Sequence, residues 1–142
     1  MTPGPVDRLR TSVDRLTTLL SYWTPPRFSA AASRLIGDAV TALCSTPAPA
    51  VDALADQPEP SPGRLHGTVA EQLHLVVQLF ADLGAGAEGR RRRPVPYPAE
   101  PASLADQLTV MSTDLLAAGA NANSAALLGH LTNRLDALRA AL

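Results

Sequence analysis

The chain has 142 residues, of which 46% are hydrophobic and only 4% aromatic, and a formal net charge of −1 at pH 7. This length fits one domain with a core of its own, and the composition excludes an intrinsically disordered protein. The single cysteine, Cys44, excludes an internal disulfide framework. No apolar run approaches the roughly 18 residues that a membrane span requires, and no secretory signal is recognisable. We therefore expect a cytoplasmic protein without membrane contact.

All twelve basic residues are arginines, and alanine, glycine and proline are abundant. This usage is typical of a GC-rich genome, and we expect a bacterial protein. The basic residues do not line up along any predicted face. The exception is one run of four, Arg90, Arg91, Arg92 and Arg93. Without a broader basic surface, nucleic-acid binding is not expected.

The thirteen prolines all lie outside the segments in which apolar residues recur at steps of three and four. Proline lacks an N–H donor and clashes with the preceding helical turn, so it is tolerated at helix starts and in connections but not in helix interiors. The pattern predicts an all-α protein of about five helices. Their expected bounds are 5–23, 25–45, 62–83, 102–118 and 122–142.

The helix over 62–83 differs from the others because it is apolar around most of its girth. A helix of this kind is usually buried by neighbours on several sides. We therefore predict a single-domain antiparallel bundle in which two hairpins pack around this central helix. Leu73, Val76 and Phe80 should be almost fully buried on its shared face.

The connections differ in composition. Residues 46–61 are proline-rich, and residues 84–101 combine glycines, the arginine run and four prolines. We expect 84–101 to be a mobile loop, with a polyproline-like stretch from Pro94 to Pro98. Residues 119–123 either form a tight turn between the last two helices or lie within one bent helix. The turn is favoured because the apolar spacing does not continue across them.

Two patterns in the sequence are typical of metal sites. Glu71 and His74 have the E-x-x-H spacing of di-iron bundles, but such sites need two of these motifs and two further carboxylates. A surface pair on one helix is favoured instead. His66, His74 and His130 supply the minimum number of imidazoles for a zinc-type site. However, His66 and His74 are two turns, or roughly 12 Å, apart along a helix, so exposed or capping roles are favoured.

No catalytic, cofactor-binding or metal-binding residue is predicted. Cys44 lies at the end of the second predicted helix, where the negative end of the helix dipole opposes thiolate formation. Glycine-rich phosphate loops follow strands, and no strand is predicted. The run from Arg90 to Arg93 has the charge to bind phosphate, nucleic acid or an acidic peptide, but a solvated loop is favoured.

The expected function is that of a non-enzymatic interaction or scaffold protein. It would bind a protein partner, or a second copy of itself, through a helix face. Apolar residues beside the main helical stripes support this interpretation: Leu19, Ile36, Val40, Leu75, Val77 and Leu127. The alternative is a small helical-bundle metal protein or enzyme that uses His66, His74 and His130.

Overall fold

The computed structural model describes residues 3–45, 67–118 and 124–142. In these ranges the chain forms six helices: α1 (Pro5–Ser21), α2 (Pro25–Ser29), α3 (Arg34–Cys44), α4 (Val69–Ala87), α5 (Ser103–Ala118) and α6 (Ser124–Ala141). The prediction of an all-α protein is confirmed. Within the same ranges, no helix combines the length and the apolar character needed to cross a membrane.

The helix predicted over 25–45 is wrong as one continuous element. It divides into α2 and α3 because Ser33 begins a new helix, where its Oγ accepts a hydrogen bond from the N–H of Ile36 at 3.2 Å. The helix predicted over 62–83 begins at Val69 in the described part of the chain and continues to Ala87. The predicted connection 46–61, the start of that helix and the turn 119–123 lie outside the described residues.

A capping box fixes the start of α4. Thr68 Oγ1 accepts from the N–H of Glu71 at 3.2 Å, and Glu71 Oε1 accepts from the N–H of Thr68 at 3.4 Å. Just before this point the backbone pairs with the segment between α2 and α3. Ala32 N–H donates to the carbonyl of Gly67, and Val69 N–H donates to the carbonyl of Ala30, both at 2.9 Å.

The core is built from the predicted stripes. Leu73, Val76 and Phe80 are 3%, 1% and 0% exposed, which confirms the burial predicted for them. The leucines of α6 at 128, 131, 135 and 138 are also buried. The core is therefore aliphatic on most helices, with Phe80 and Phe28 as its buried aromatic side chains.

The helices pack in an order different from the one predicted. Helix α4 packs most extensively against α5 and α3, α6 packs against α1 and α3, and α1 also packs against α5. The short α2 lies against α4. The predicted hairpins are not confirmed, because neither α1 with α3 nor α5 with α6 is an extensively packed pair among the described residues. An apolar stripe shows which face of a helix is buried, but not which helix covers it.

Two polar contacts tie α6 to the first part of the chain. Ser12 Oγ in α1 donates to Asp136 Oδ1 in α6 at 2.6 Å. Arg27 Nη2 in α2 donates to the carbonyl of Leu142 at 3.1 Å, and its guanidinium lies 4.4 Å from the ring centroid of Trp23. Helix α6 is thereby fixed at its middle and at its carboxyl end.

Candidate functional site

The proline-rich stretch that follows α4 lies against α4 and α5. Residues 93–97, which we call the strap, are held first by the side-chain amide of Gln78 in α4. Its Oε1 accepts from the N–H of Val95 at 2.7 Å, and its Nε2 donates to the carbonyl of Arg93 at 3.1 Å. The same Nε2 donates to Asp82 Oδ1 at 2.8 Å, which orients the amide. The side chain of Gln78 therefore supplies the backbone hydrogen bonds that a neighbouring β-strand would otherwise supply.

Two further side chains complete the attachment of the strap. His74 Nε2 lies 2.9 Å from the carbonyl oxygen of Val95. Because a carbonyl only accepts, Nε2 carries the proton. The imidazole also meets the Tyr97 ring edge-on, with centroids 5.2 Å apart. From α5, Gln107 Nε2 donates to the carbonyl of Pro96 at 3.0 Å. The strap is thus bound to both helices through its backbone.

The prolines explain how this stretch can dock without a sheet. Residues 94–98 contain three prolines, which have no N–H, so only Val95 and Tyr97 offer a backbone donor there. The donor of Val95 is satisfied by Gln78, and the Val95 side chain enters the core at 9% exposure. Because the strap has few backbone N–H groups to satisfy, one hydrogen-bonded N–H and one buried apolar side chain are enough to hold it against the helices.

These contacts correct part of the expectation for residues 84–101. Residues 84–87 belong to α4, and Val95 packs in the core, whereas a mobile loop was predicted for the whole of 84–101. Helix α4 ends at Ala87. Gly89, two residues later, has a φ of 68° that suits glycine, and the N–H of Arg90 closes the helix end by donating to the carbonyl of Ala85 at 2.8 Å. Mobility stays a prediction for residues 88–92.

A partly open cavity of about 230 Å³ lies between the strap, α4 and α5. Its apolar lining includes Phe80 from α4, Val95 from the strap and Met111 from α5. Phe80 and Val95 belong to the core, and Met111 is partly buried against it. The cavity therefore has a floor continuous with the hydrophobic core.

Arginines form much of the cavity rim. Arg90, Arg91 and Arg93 are among the residues that line it, together with a single acid, Asp114. Arg90 is paired with Glu88. Arg91 and Arg93 are exposed and form no ion pair within the described part of the chain. Among the described residues, Arg91 and Arg93 therefore have no carboxylate within ion-pair distance, although Asp114 lines the same cavity.

Exposed apolar side chains lie close to the strap. Tyr97, within it, is 51% exposed, and Val110 of α5 is 53% exposed. Val110 follows Gln107 by three residues, so both lie on the same face of α5, the face that binds Pro96. The strap and this face of α5 thus form one surface that combines arginines, prolines and exposed apolar groups.

The histidines are not brought together as ligands in the described part of the chain. His74 is bound to the strap, His130 is half-buried on α6 with its Nε2 lacking a hydrogen-bond partner, and His66 lies outside the described residues. The expected surface pair of Glu71 and His74 is wrong, because Glu71 caps α4 at Thr68. Among the described residues no group of three histidine, cysteine or acidic side chains is placed to hold a metal ion.

The structure adds two causes to the helix dipole that keep Cys44 protonated at neutral pH. The protein atoms around its sulfur desolvate the thiolate, and the negative charge of Asp82 adds to this effect, so the pKa of the thiol is raised to about 11. The residue itself stays exposed at the end of α3. An unreactive thiol at an exposed position gives no support for nucleophilic catalysis.

The anchors of the strap did not emerge from the sequence, although one signal was present. His74, Gln78 and Asp82 recur at steps of four and form a polar row along a helix that is otherwise apolar after Glu71 and Gln72. Such a row, facing a buried surface, needs hydrogen-bond partners. Here the strap and the row itself supply them.

Comparison of the chain with protein-family models, with curated proteins and with solved structures finds no match. The functional interpretation therefore depends on the geometry of the strap and its cavity.

Proposed function

We propose that the protein is a non-enzymatic interaction protein that binds its partner through the strap and the adjoining face of α5. The observation that supports this most is that Gln78 and Gln107 hold the backbone of the strap, in which Tyr97 is half-exposed, while Val110 is exposed on α5 one turn after Gln107. A surface that is already ordered loses little conformational entropy on binding. Tyrosine is among the residues enriched at protein interfaces.

The proposal keeps the finer expectations drawn from the sequence. The protein would be a single-domain bundle in the cytoplasm of a bacterium, as its arginine-only basic residues and lone cysteine indicate. The occupant of the surface would be a protein partner or a second copy of the chain.

Selection of peptides from a displayed library against the purified protein tests the proposal. Enriched peptides should lose affinity by on the order of tenfold when Val110→Asp or Tyr97→Ser is introduced, because interface anchors typically contribute more than about 1 kcal/mol. Leu35→Ser is the matched control, since Leu35 is 70% exposed on α3, away from the strap. Enriched peptides that bind all three variants equally would contradict the proposal.

Self-association is tested separately by light scattering over a range of protein concentrations. If a second copy covers the strap surface, the mass should rise with concentration, and Val110→Asp should shift the rise to higher concentration. A rise that Val110→Asp leaves unchanged would assign self-association to another face.

The competing proposal, a metal protein using His66, His74 and His130, is tested by metal analysis of dialysed protein. Stoichiometric zinc or iron that is lost in both His74→Ala and His130→Ala would replace the interaction proposal. Because Nε2 of His74 is engaged with the carbonyl of Val95, a metal would have to bind Nδ1 of the imidazole.

A further inference from the structure

We infer that the cavity beneath the strap receives one apolar side chain of a partner peptide, and that acidic residues flanking this side chain pair with Arg91 and Arg93. This inference rests on the proposed function and names the chemistry of the partner. It concerns the arginine-rimmed cavity rather than the exposed pair formed by Tyr97 and Val110.

The size of the cavity favours a side chain over a cofactor. Sites for cofactors and drug-sized ligands usually enclose about 300–1,000 Å³. The cavity encloses about 230 Å³, and its floor is formed by Phe80, Val95 and Met111. An unbranched thioether such as Met111 can adjust to groups of different shape. A single aliphatic or aromatic side chain suits these dimensions and this lining.

The rim favours carboxylates at the edge of the same site. Arg91 and Arg93 are exposed and lack an ion-pair partner among the described residues, and guanidinium groups bind carboxylates through two parallel hydrogen bonds. Arg90 contributes less, because Glu88 already pairs with it. The free positive charge therefore matches one or two acidic groups.

The same rim disfavours a nucleic acid. Nucleic-acid binding sites neutralise a succession of phosphates along an extended basic track. Here three arginines line one small cavity together with Asp114, whose carboxylate repels further negative charge. An acidic peptide with an apolar centre fits this mixture better than a polyanion.

The two methionines of the chain provide a direct probe. Met111 lines the cavity, whereas Met1 lies outside the described residues and serves as an internal reference. With 13C-methyl-methionine protein, a short peptide of one leucine flanked by glutamates should shift the Met111 methyl signal and leave the Met1 signal in place. A peptide with serine instead of leucine should bind weakly, and one with lysines instead of glutamates should not bind.

Variants of the cavity arginines show whether the peptide pairs with these particular charges or responds only to the net charge of the protein. Replacing Arg91 and Arg93 together with Ser should weaken the glutamate–leucine peptide by on the order of tenfold or more, whereas Asp114→Asn should strengthen it. The matched control replaces Arg15 and Arg134 with Ser, since both are exposed on other helices, α1 and α6. Equal losses in the two double variants would overturn the inference.

Two other outcomes also decide the matter. If single-stranded oligothymidylate displaces the peptide or binds more tightly, the site is a polyanion site and the inference fails. If library peptides depend on Tyr97 and Val110 but are not acidic and bind the Arg91 and Arg93 variant normally, the inference fails while the proposed function stands. Loss of peptide binding in every variant that remains folded by circular dichroism would contradict both.

Discussion

Two stretches of non-helical backbone lie against α4, and they are held in different ways. At the start of the helix, residues 30–32 pair with residues 67–69 through two backbone hydrogen bonds. Farther along, the strap is held by side chains, chiefly the amide of Gln78, with His74 and Gln107 as its other partners.

The difference follows from proline content. Residues 30–32 keep their N–H groups, so backbone can meet backbone, and the side chains there have little part in the pairing. The strap lacks donors at its prolines and depends on side chains that reach its remaining polar groups. Backbone pairing should therefore tolerate substitution, whereas the attachment of the strap should be sensitive to a single residue.

The largest loss of stability is expected when the packing of α4 is disrupted, because both stretches lie against this helix. Phe80→Ala should lower the free energy of unfolding by about 3–5 kcal/mol, because Phe80 is fully buried and its removal leaves a large void. Urea denaturation measures this change. Val110→Ala, at an exposed position on α5, should stay within about 0.5 kcal/mol. A loss below about 1 kcal/mol for Phe80→Ala would show that α4 is not central to the core.

A smaller loss of stability is expected from a substitution that weakens only the attachment of the strap. Gln78→Ala should cost about 1–3 kcal/mol, because the part-buried N–H of Val95 loses its acceptor. Limited trypsin digestion after Arg90, Arg91 and Arg92 should also accelerate. Gln107→Ala, which removes one bond at a more exposed site, should have a clearly smaller effect on both measurements. Equal behaviour of the two variants would mean that no single amide holds the strap.

Two glycine-to-alanine substitutions should change the stability in opposite directions, one in the backbone-paired stretch and one in α6. A Cβ at Gly67 would lie 2.7 Å from Glu71 Oε2, so Gly67→Ala should displace that carboxylate and cost roughly 0.5–1 kcal/mol through the capping box. Gly129→Ala meets no atom within 4 Å inside α6 and should stabilise by about 0.5–1 kcal/mol. Thermal denaturation of both variants checks the comparison, and a stabilised Gly67→Ala protein would show that the capping box contributes nothing.

The smallest effect concerns the arginine side chains. The backbone of Arg93, not its side chain, receives the bond from Gln78. The only ion pair of the run in the described residues joins Arg90 to Glu88, both exposed, and such pairs contribute about 0–1 kcal/mol. Replacing the four arginines with Ser should leave the thermal midpoint within a few degrees. A fall of more than about 8 °C would show that the side chains, too, hold the strap.

The helices and much of the core could be predicted from the sequence because their causes are local. Proline positions limit where a helix can run, and steps of three and four identify the buried face, as Leu73, Val76 and Phe80 illustrate. The break at Ser33 was not predicted because serine, although favoured at N-caps, also occurs inside helices, so its presence alone does not mark a helix start.

The order of the helices and the docking of the strap could not be predicted in the same way. Each helix has an apolar stripe that several partners could cover, so the preference of α4 for α5 and α3 is decided by the fold as a whole. Gln78 and Val95 are 17 positions apart, and neither residue alone indicates the other. The composition of residues 84–101 indicated mobility because the side chains that hold the strap, those of His74, Gln78 and Gln107, lie outside that stretch.

The contact between Ser12 and Asp136 spans 124 positions of the chain, and it has a consequence for the order of folding. Leu9 and Leu16 of α1 are completely buried, yet the helices that pack against α1 are the last two of the six. During synthesis α1 leaves the ribosome long before its neighbours exist. Contacts this distant slow folding far more than they weaken the folded state, because the entropy of loop closure grows only logarithmically with length. We therefore expect α5 to cover α1 only in part, and α1 to reach its full packing only after α6 has been translated.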